Sequence, residues 1–325
     1  MNRTKYFTAK ICKTAFIGAI SLILSVSVFS QISLRTALDT DKDGKADFTV
    51  FRPSNNYWFT NKSSGGFTST QWGLATHDFL TPGDYDGDGK GDISVFREPE
   101  GNWYHLNSSN GTFTSVHFGT AGDEPVARDY DGDGKTDLAV VRRSNGLITW
   151  FVLRSRDGGF TGTQWGLSTD FTAPGDYDGD GRFDFSVQRA GPSPTSPAVF
   201  FTLRSSDNDF RIVQFGLSKD LVVPGDYDGD GKSDYAVLRE GPTPESNLSW
   251  FVLRSSDNRF TGTQFGLTGS DLNVQNDYDG DGKTDIAVWR DPTGFFFILR
   301  SSDGGFGGGQ WGAPNDYPVA SYDTH

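Results

Sequence analysis

The feature that most constrains this chain is a string, D-x-D-x-D-G-x-x-D, that occurs six times. It starts at Asp39, Asp84, Asp129, Asp176, Asp226 and Asp277, at intervals of 45, 45, 47, 50 and 51 residues. A period of this length marks a stacked or radial array of one supersecondary unit. Each copy continues in the same way. An alternating run such as Asp285–Arg290 is followed by a turn and a second run such as Trp250–Arg254. A polar turn of Ser-Ser-Asp-Asn or Asp-Gly-Gly type follows, then a third run such as Phe260–Gly266, then a fourth leading into the next Asp string. Period-2 runs of β-branched and aromatic residues, broken by Gly, Asn, Asp and Pro, are strands. Aromatics at 14% and 41 Gly in 325 residues fit many strands and tight turns.

Four strands per repeat make one small antiparallel sheet, which cannot bury enough surface to stand alone. The fold class expected is therefore all-β, a β-propeller of six four-stranded antiparallel blades. Closure is read from the C-terminus. After Trp311 and Gly312, residues 315–320 copy the segment that leads into each Asp string, and Tyr322 stands where the first Asp would come. That extra strand is expected to hydrogen-bond into the first blade and close the ring, removing the exposed edges of an open array. Residues 33–38 also read as a weak first strand, which leaves a seventh blade open.

In each string carboxylates occupy positions 1, 3, 5 and 9, Gly occupies position 6, and the position-7 carbonyl is expected to point inward. The candidate ligands are Asp39, Asp41, Asp43, Lys45 and Asp47; Asp84, Asp86, Asp88, Lys90 and Asp92; and Asp129, Asp131, Asp133, Lys135 and Asp137. The later copies supply Asp176, Asp178, Asp180, Arg182 and Asp184; Asp226, Asp228, Asp230, Lys232 and Asp234; and Asp277, Asp279, Asp281, Lys283 and Asp285, the Lys and Arg acting through their carbonyls. The spacing matches the start of an EF-hand loop, with Asp at 9 closing the cage in place of Glu at 12. Ligands that are all oxygen select a hard cation, and several carboxylates in one flexible loop suit Ca2+ better than Mg2+. About six calcium sites are expected. A bare Asp-Gly hairpin turn would not need four acids at fixed spacing.

The repeated D-Y-D-G-D-G-K core, with a Trp-Gly or Phe-Gly step before each copy after the first, resembles the FG-GAP/VCBS-type repeats of integrin-α-like β-propellers, over residues ~33–325. The resemblance implies calcium in the loop joining the first two strands of each blade, and an extracellular binding or adhesion role. The first copy departs from the pattern, with Thr40 at position 2 and Lys42 at position 4. No adhesive motif or ligand residue carries over.

Residues 1–30 read as a secretory signal, with Arg3, Lys5, Lys10 and Lys13 ahead of an apolar run from Thr14 and a cleavage site before Gln31. Residues 31–325 are then the propeller. The only Cys is Cys12, so the mature chain has no disulfide to staple it. Cleavage removes four of 29 basic residues and none of 42 acids, giving 25 − 42 = −17. That charge argues against a nucleic-acid partner. Six loops of four Asp hold 24 of the 42 acids, and six Ca2+ would bring −17 to −5.

Other patterns point away from chemistry. Gly134-Lys135-Thr136 and Gly282-Lys283-Thr284 resemble the end of a phosphate-binding loop, but the required upstream Gly is Asp129 or Asp277. His77, His105, His117 and His325 fall at different repeat positions and form no catalytic pattern. Arg52, Arg97, Arg142, Arg189, Arg239 and Arg290 are expected to pair structurally with acids such as Asp78, Asp170 or Asp220 between blades, and Trp58, Trp103, Trp150 and Trp250 to pack internally. The longer Pro-stiffened loops at 190–197 and 240–245 should project from the face opposite the Asp strings, a place for a partner. The reading is an exported or cell-surface calcium-binding module, adhesive or lectin-like, for a cell-surface glycan or protein, with no nucleotide and no membrane span after cleavage. The alternative is a secreted polysaccharide-active enzyme with its site in the channel.

Overall fold

A computed structural model describes residues 36–320. The signal segment and Tyr322 lie outside the described residues, as do residues 33–35; Thr36–Leu38, expected as strand, form a turn. The described residues form six four-stranded antiparallel sheets and no helix. Blade 4 is representative. Its inner strand Phe171–Thr172 pairs with Phe185–Arg189, which pairs with Pro197–Leu203, which pairs with the outer strand Phe210–Leu217. Blade 1 takes three strands from the beginning of the chain, Phe48–Arg52, Tyr57–Asn61 and Phe67–Gln71, and its inner strand, Tyr317–Pro318, from the end. The closing strand is therefore where the sequence puts it, and the blade count is six.

Burial follows the radial order of the strands. The second strand is buried on both faces along its centre, the third alternates, and the outer strand is largely exposed. At one register of the second strand stand Val50, Val95, Val140, Val187, Val237 and Val288, all buried. The Gly of the Trp/Phe-Gly step makes room for them. Gly73, Gly166, Gly216, Gly266 and Gly312 have positive φ, and a Cβ on any of them would press on the Val of the next blade at 3.0–3.4 Å. The aromatic ahead of that Gly seals the seam between blades. Trp72, Trp165 and Trp311 each donate their indole N–H to a third-strand carbonyl of the following blade, at Tyr104, Phe201 and Phe59.

Trp58, Trp103, Trp150 and Trp250 are buried, as expected, and each donates its indole N–H to the carbonyl of its own outer strand. They are core residues and offer no stacking face to a sugar. In blade 6 the third strand has Phe296 there, and Trp289 of the second strand reaches the same kind of carbonyl, that of Trp311, at 3.0 Å. The fold keeps this hydrogen bond while changing which strand supplies it.

The repeated Arg residues correct one expectation. They pair within a blade, not between blades. Arg97 meets Asp78, Arg142 meets Asp123, Arg189 meets Asp170, Arg239 meets Asp220 and Arg290 meets Asp271, each through two guanidinium N–H groups. The Asp begins the inner strand and the Arg ends the second strand, so antiparallel register sets them side by side. Arg52 makes the same pair with Asp316, 264 residues away, and so latches the two ends of the chain together.

Candidate metal centres

In blades 2–6 the Asp string joins the inner to the second strand, whereas the first string leads into Phe48–Arg52 alone because the inner strand of blade 1 comes from the end of the chain. In blades 2–6 the base of the string is pinched by a bridge between the residue before position 1 and the Asp at position 9, as in Gly83 with Asp92. The position-1 and position-9 carboxylates are buried in all six loops, none more than 5% exposed. In the second loop, Asp84 accepts the N–H groups of Gly87 and Gly89 at 2.6 and 2.9 Å. Asp92 accepts those of Tyr85 and Ser108 at 2.8 and 2.7 Å. The position-6 Gly, such as Gly89, turns the loop with φ near 85–96°, a conformation Gly adopts without steric cost.

Carboxylate oxygens within one loop converge. Asp84, Asp86 and Asp92 offer oxygens within 4.8 Å of one another, as do Asp129, Asp131 and Asp137, and Asp176, Asp178 and Asp184. Asp39, Asp41 and Asp43, and Asp226, Asp228 and Asp230, form similar groups, and there is one more. Burial is the main reason these acids resist ionisation, with neighbouring carboxylates adding to it. Asp84, Asp129 and Asp285 are pushed up to about 6, Asp137, Asp176 and Asp234 to about 7, and Asp184 to about 8. Burying several acids without a counter-charge is unfavourable unless something positive replaces the lost water. Two oxygens bear directly on what that is. Oδ1 of Asp41 is buried and accepts no hydrogen bond, and Oδ1 of Asp131, which accepts none either, has the Arg156 guanidinium 3.5 Å away. A cation seated among the carboxylates would satisfy them, and the all-oxygen donor set fits a hard one.

A second element of the site was not recognised in the sequence. The turn between the third and outer strands, read only as a polar turn, folds over the loop of its own blade. Ser108 Oγ donates to Asp88 at 3.0 Å and Ser109 Oγ to Asp86 at 2.5 Å. Ser63 and Ser64, Ser205 and Ser206, Ser255 and Ser256, and Ser301 and Ser302 take the same places. In blade 3 the second of these is Arg156, whose guanidinium lies 3.5 Å from Asp131. The available signal was the recurrence of the Ser pair at a fixed place in the repeat.

The six loops also form one ring. The N–H at position 8 donates to the position-1 carbonyl of the preceding loop: Gly91 to Asp39, Thr136 to Asp84, Phe183 to Asp129, Ser233 to Asp176, Thr284 to Asp226, and Ala46 back to Asp277, at 2.6–3.0 Å. Cationic side chains bridge the same seams. Lys135 Nζ donates to the Asp86 carbonyl at 2.6 Å and Lys232 Nζ to that of Asp178. Their stems lie across Gly87 and Gly179 at position 4. In the first loop Lys42 occupies that position at φ 67° and sends its own ammonium to the Asp88 carbonyl. The departure from the repeat thus serves the same bridge.

His105 and His117 bring no chemistry to these loops, and His325 lies outside the described residues. His105 lies beneath Tyr85, its Nδ1 2.7 Å from Ser94 Oγ, and Ser94 also meets Thr81 at 2.9 Å. Both members of this Ser–His contact are sealed in the core, at 0% and 3% exposure. His117 hydrogen-bonds Asn102 on the exposed surface.

The FG-GAP-like repeat family matches residues 39–95 and 129–187, which hold four of the six loops. Those two stretches are FG-GAP-like repeats, and the chain that carries them is a six-bladed β-propeller. None of the curated proteins compared with it matches. Among solved structures it is similar to a mutant of AofleA from Arthrobotrys oligospora, 12% identical over 85% of this chain and 89% of that one, with a TM-score of 0.49. It is also similar to a putative 6-phosphogluconolactonase from Bacteroides fragilis, 12% identical over 86% and 97%, with a TM-score of 0.45. These distant likenesses say nothing about what the FG-GAP propeller binds.

Proposed function

We propose that this FG-GAP propeller is exported and acts outside the cell as a calcium-stabilised binding module, adhesive or lectin-like, for a cell-surface glycan or protein. The observation that carries the reading is the pair of buried carboxylates in every loop, together with the orphaned Oδ1 of Asp41. The four aspartates of each string, with the position-7 carbonyl, would hold the ion. Its chemistry there is charge neutralisation and cross-linking of the loop. A variable shell of several carboxylates supports Ca2+ over Mg2+, which demands tight octahedral geometry.

The face opposite the loops supports a partner role of its own. The loops of blades 4 and 5 between the second and third strands share one conformation, clamped to the connector leaving each blade. Gly191 and Gly241 donate to Ser218 Oγ and Thr268 Oγ1 at 2.7 and 2.8 Å, and Ser218 and Thr268 donate back to Ser196 and Ser246 carbonyls at 2.9 Å. Preorganised loops lose little entropy on binding. The test is a glycan and protein array probed with labelled protein in calcium and after chelation. Calcium-dependent retention on a defined set of glycans or proteins is expected. Turnover of a polysaccharide panel, or no retention in either state, would overturn the reading.

A further inference from the structure

We infer that the cleft between blades 6 and 1, on the face carrying the Asp loops, binds a carboxylate-bearing sugar unit. The inference rests on the binding-module reading and names a site and ligand class for it. The cleft encloses about 370 Å³, within the range of small-molecule sites. Its apolar wall is Phe48, stacked on Phe296 at 4.5 Å, with Tyr278 and Ile298.

Departures from the repeat meet here from both sides. In five blades the third strand ends in Leu, at Leu106, Leu153, Leu203, Leu253 and Leu299; in blade 1 it ends in Asn61. Across the cleft, the outer strand of blade 6 has Gly307 and Gly309 where blades 3 and 5 have Thr at both positions. Gly within a strand is destabilising, and it recurs where a ligand approaches the backbone closely. A Cβ at Gly307 would meet nothing nearer than 3.8 Å, so packing does not demand Gly there.

Charge gives the ligand its sign. The equivalent cleft between blades 3 and 4 is lined by Arg154, Arg182 and Arg204, and each is ion-paired, with Asp157, Asp180 and Asp207 respectively. In the cleft between blades 6 and 1, Arg300 is paired with Asp303. Lys62, however, has no acid within ion-pair distance among the described residues, and neither has Lys45, whose stem lies across Gly280 as that of Lys135 lies across Gly87. The remaining wall acid, Asp279, belongs to the sixth loop, where a bound cation would neutralise it. Two ammonium groups without an acid partner suit a carboxylate. The Asn61 amide and bare Gly307–Gly308 backbone suit hydroxyls, and the apolar wall suits the C–H face of a pyranose ring. A uronic acid unit presents all three.

The test is calorimetric titration of the calcium-saturated protein with tri-galacturonic acid and with its methyl ester. The acid should bind and the ester should bind roughly tenfold more weakly or worse. Asn61→Leu and Gly307→Thr restore residues that other blades already carry, so both should keep or raise the melting temperature while abolishing binding. Lys62→Ala, a surface change, repeats the test should either variant fail to fold. Equal binding of acid and ester, or unchanged binding by these variants, would overturn the inference. No binding of the uronide by the unaltered protein would also overturn it, whereas calcium-dependent retention of other glycans or proteins on the array would leave the binding-module reading standing.

Discussion

Stripped of divalent ions, this protein should become less stable as the pH rises from 5 to 8, and with calcium the slope should reverse. Seven loop carboxylates have ionisation midpoints of about 6 to 8 in the fold, against an ordinary aspartate value of 3.8. Between those limits the folded chain holds more protons than the unfolded one. Stability is therefore full near pH 4 and is lost as pH rises through the folded midpoints. Each group contributes a slope of ~1.4 kcal/mol per pH unit. Seven together would give ~10 kcal/mol per pH unit, as much as a whole domain's stability. The ion-free loops must then open locally well before all seven ionise, and the net loss between pH 5 and 8 should be several kcal/mol. With calcium bound, protons instead compete with the ion for the same oxygens, so stability is lost as pH falls. The assay is urea unfolding followed by tryptophan fluorescence, in buffers free of divalent ions and again in calcium. Ion-free protein that gained stability from pH 5 to 8, or showed no slope, would refute the reasoning.

Three further outcomes are expected. Arg239→Gln should cost about 3 kcal/mol in urea unfolding, because it strands Asp220, which is fully buried; Arg300→Gln, whose partner Asp303 is exposed, should change little. His105 is held neutral by burial, its midpoint depressed to about 4, so it contributes stability that is lost as pH falls below 6.5. His105→Val, the residue of blades 3 and 5 at this place, should flatten the calcium-saturated stability curve between pH 7 and 5 by ~2 kcal/mol. Because the six loops share one ring of backbone hydrogen bonds, Asp226→Asn with Asp228→Asn should raise amide exchange at Ser233 and Thr284, in the damaged loop and the one after it; exchange confined to the damaged loop would show the ring does not couple its members.

Most of the architecture was legible because it is repetitive. One Asp string, one Trp/Phe-Gly step and one Val register each occur six times, and closure showed in the strand-like residues 315–320, which pair through Tyr317–Pro318 with the first blade. What stayed hidden depends on the third dimension. The pairing of Arg97 with Asp78 across one blade follows from antiparallel register, and spacing along the chain alone did not separate it from a contact between blades. The Ser108–Ser109 lid reads as an ordinary turn until the fold brings it over Asp86 and Asp88. Residues 33–38 alternate like a strand, yet the inner place in blade 1 is filled by Tyr317–Pro318, and Thr36–Leu38 turn instead. Asn61 and Gly307 look ordinary in their own segments and gain meaning only as opposite walls of one cleft.

The central claim is that divalent ions in the six Asp loops hold the ring together, and differential scanning calorimetry at neutral pH tests it most directly. Sites of the extracellular class, binding at roughly 0.1–1 mM, would each contribute ~0.4–1.4 kcal/mol in millimolar calcium, or ~2–8 kcal/mol for six. For a folded unit of this size that corresponds to a melting temperature about 4–14 °C higher in calcium than in chelator. The same melting temperature in both conditions would contradict the account.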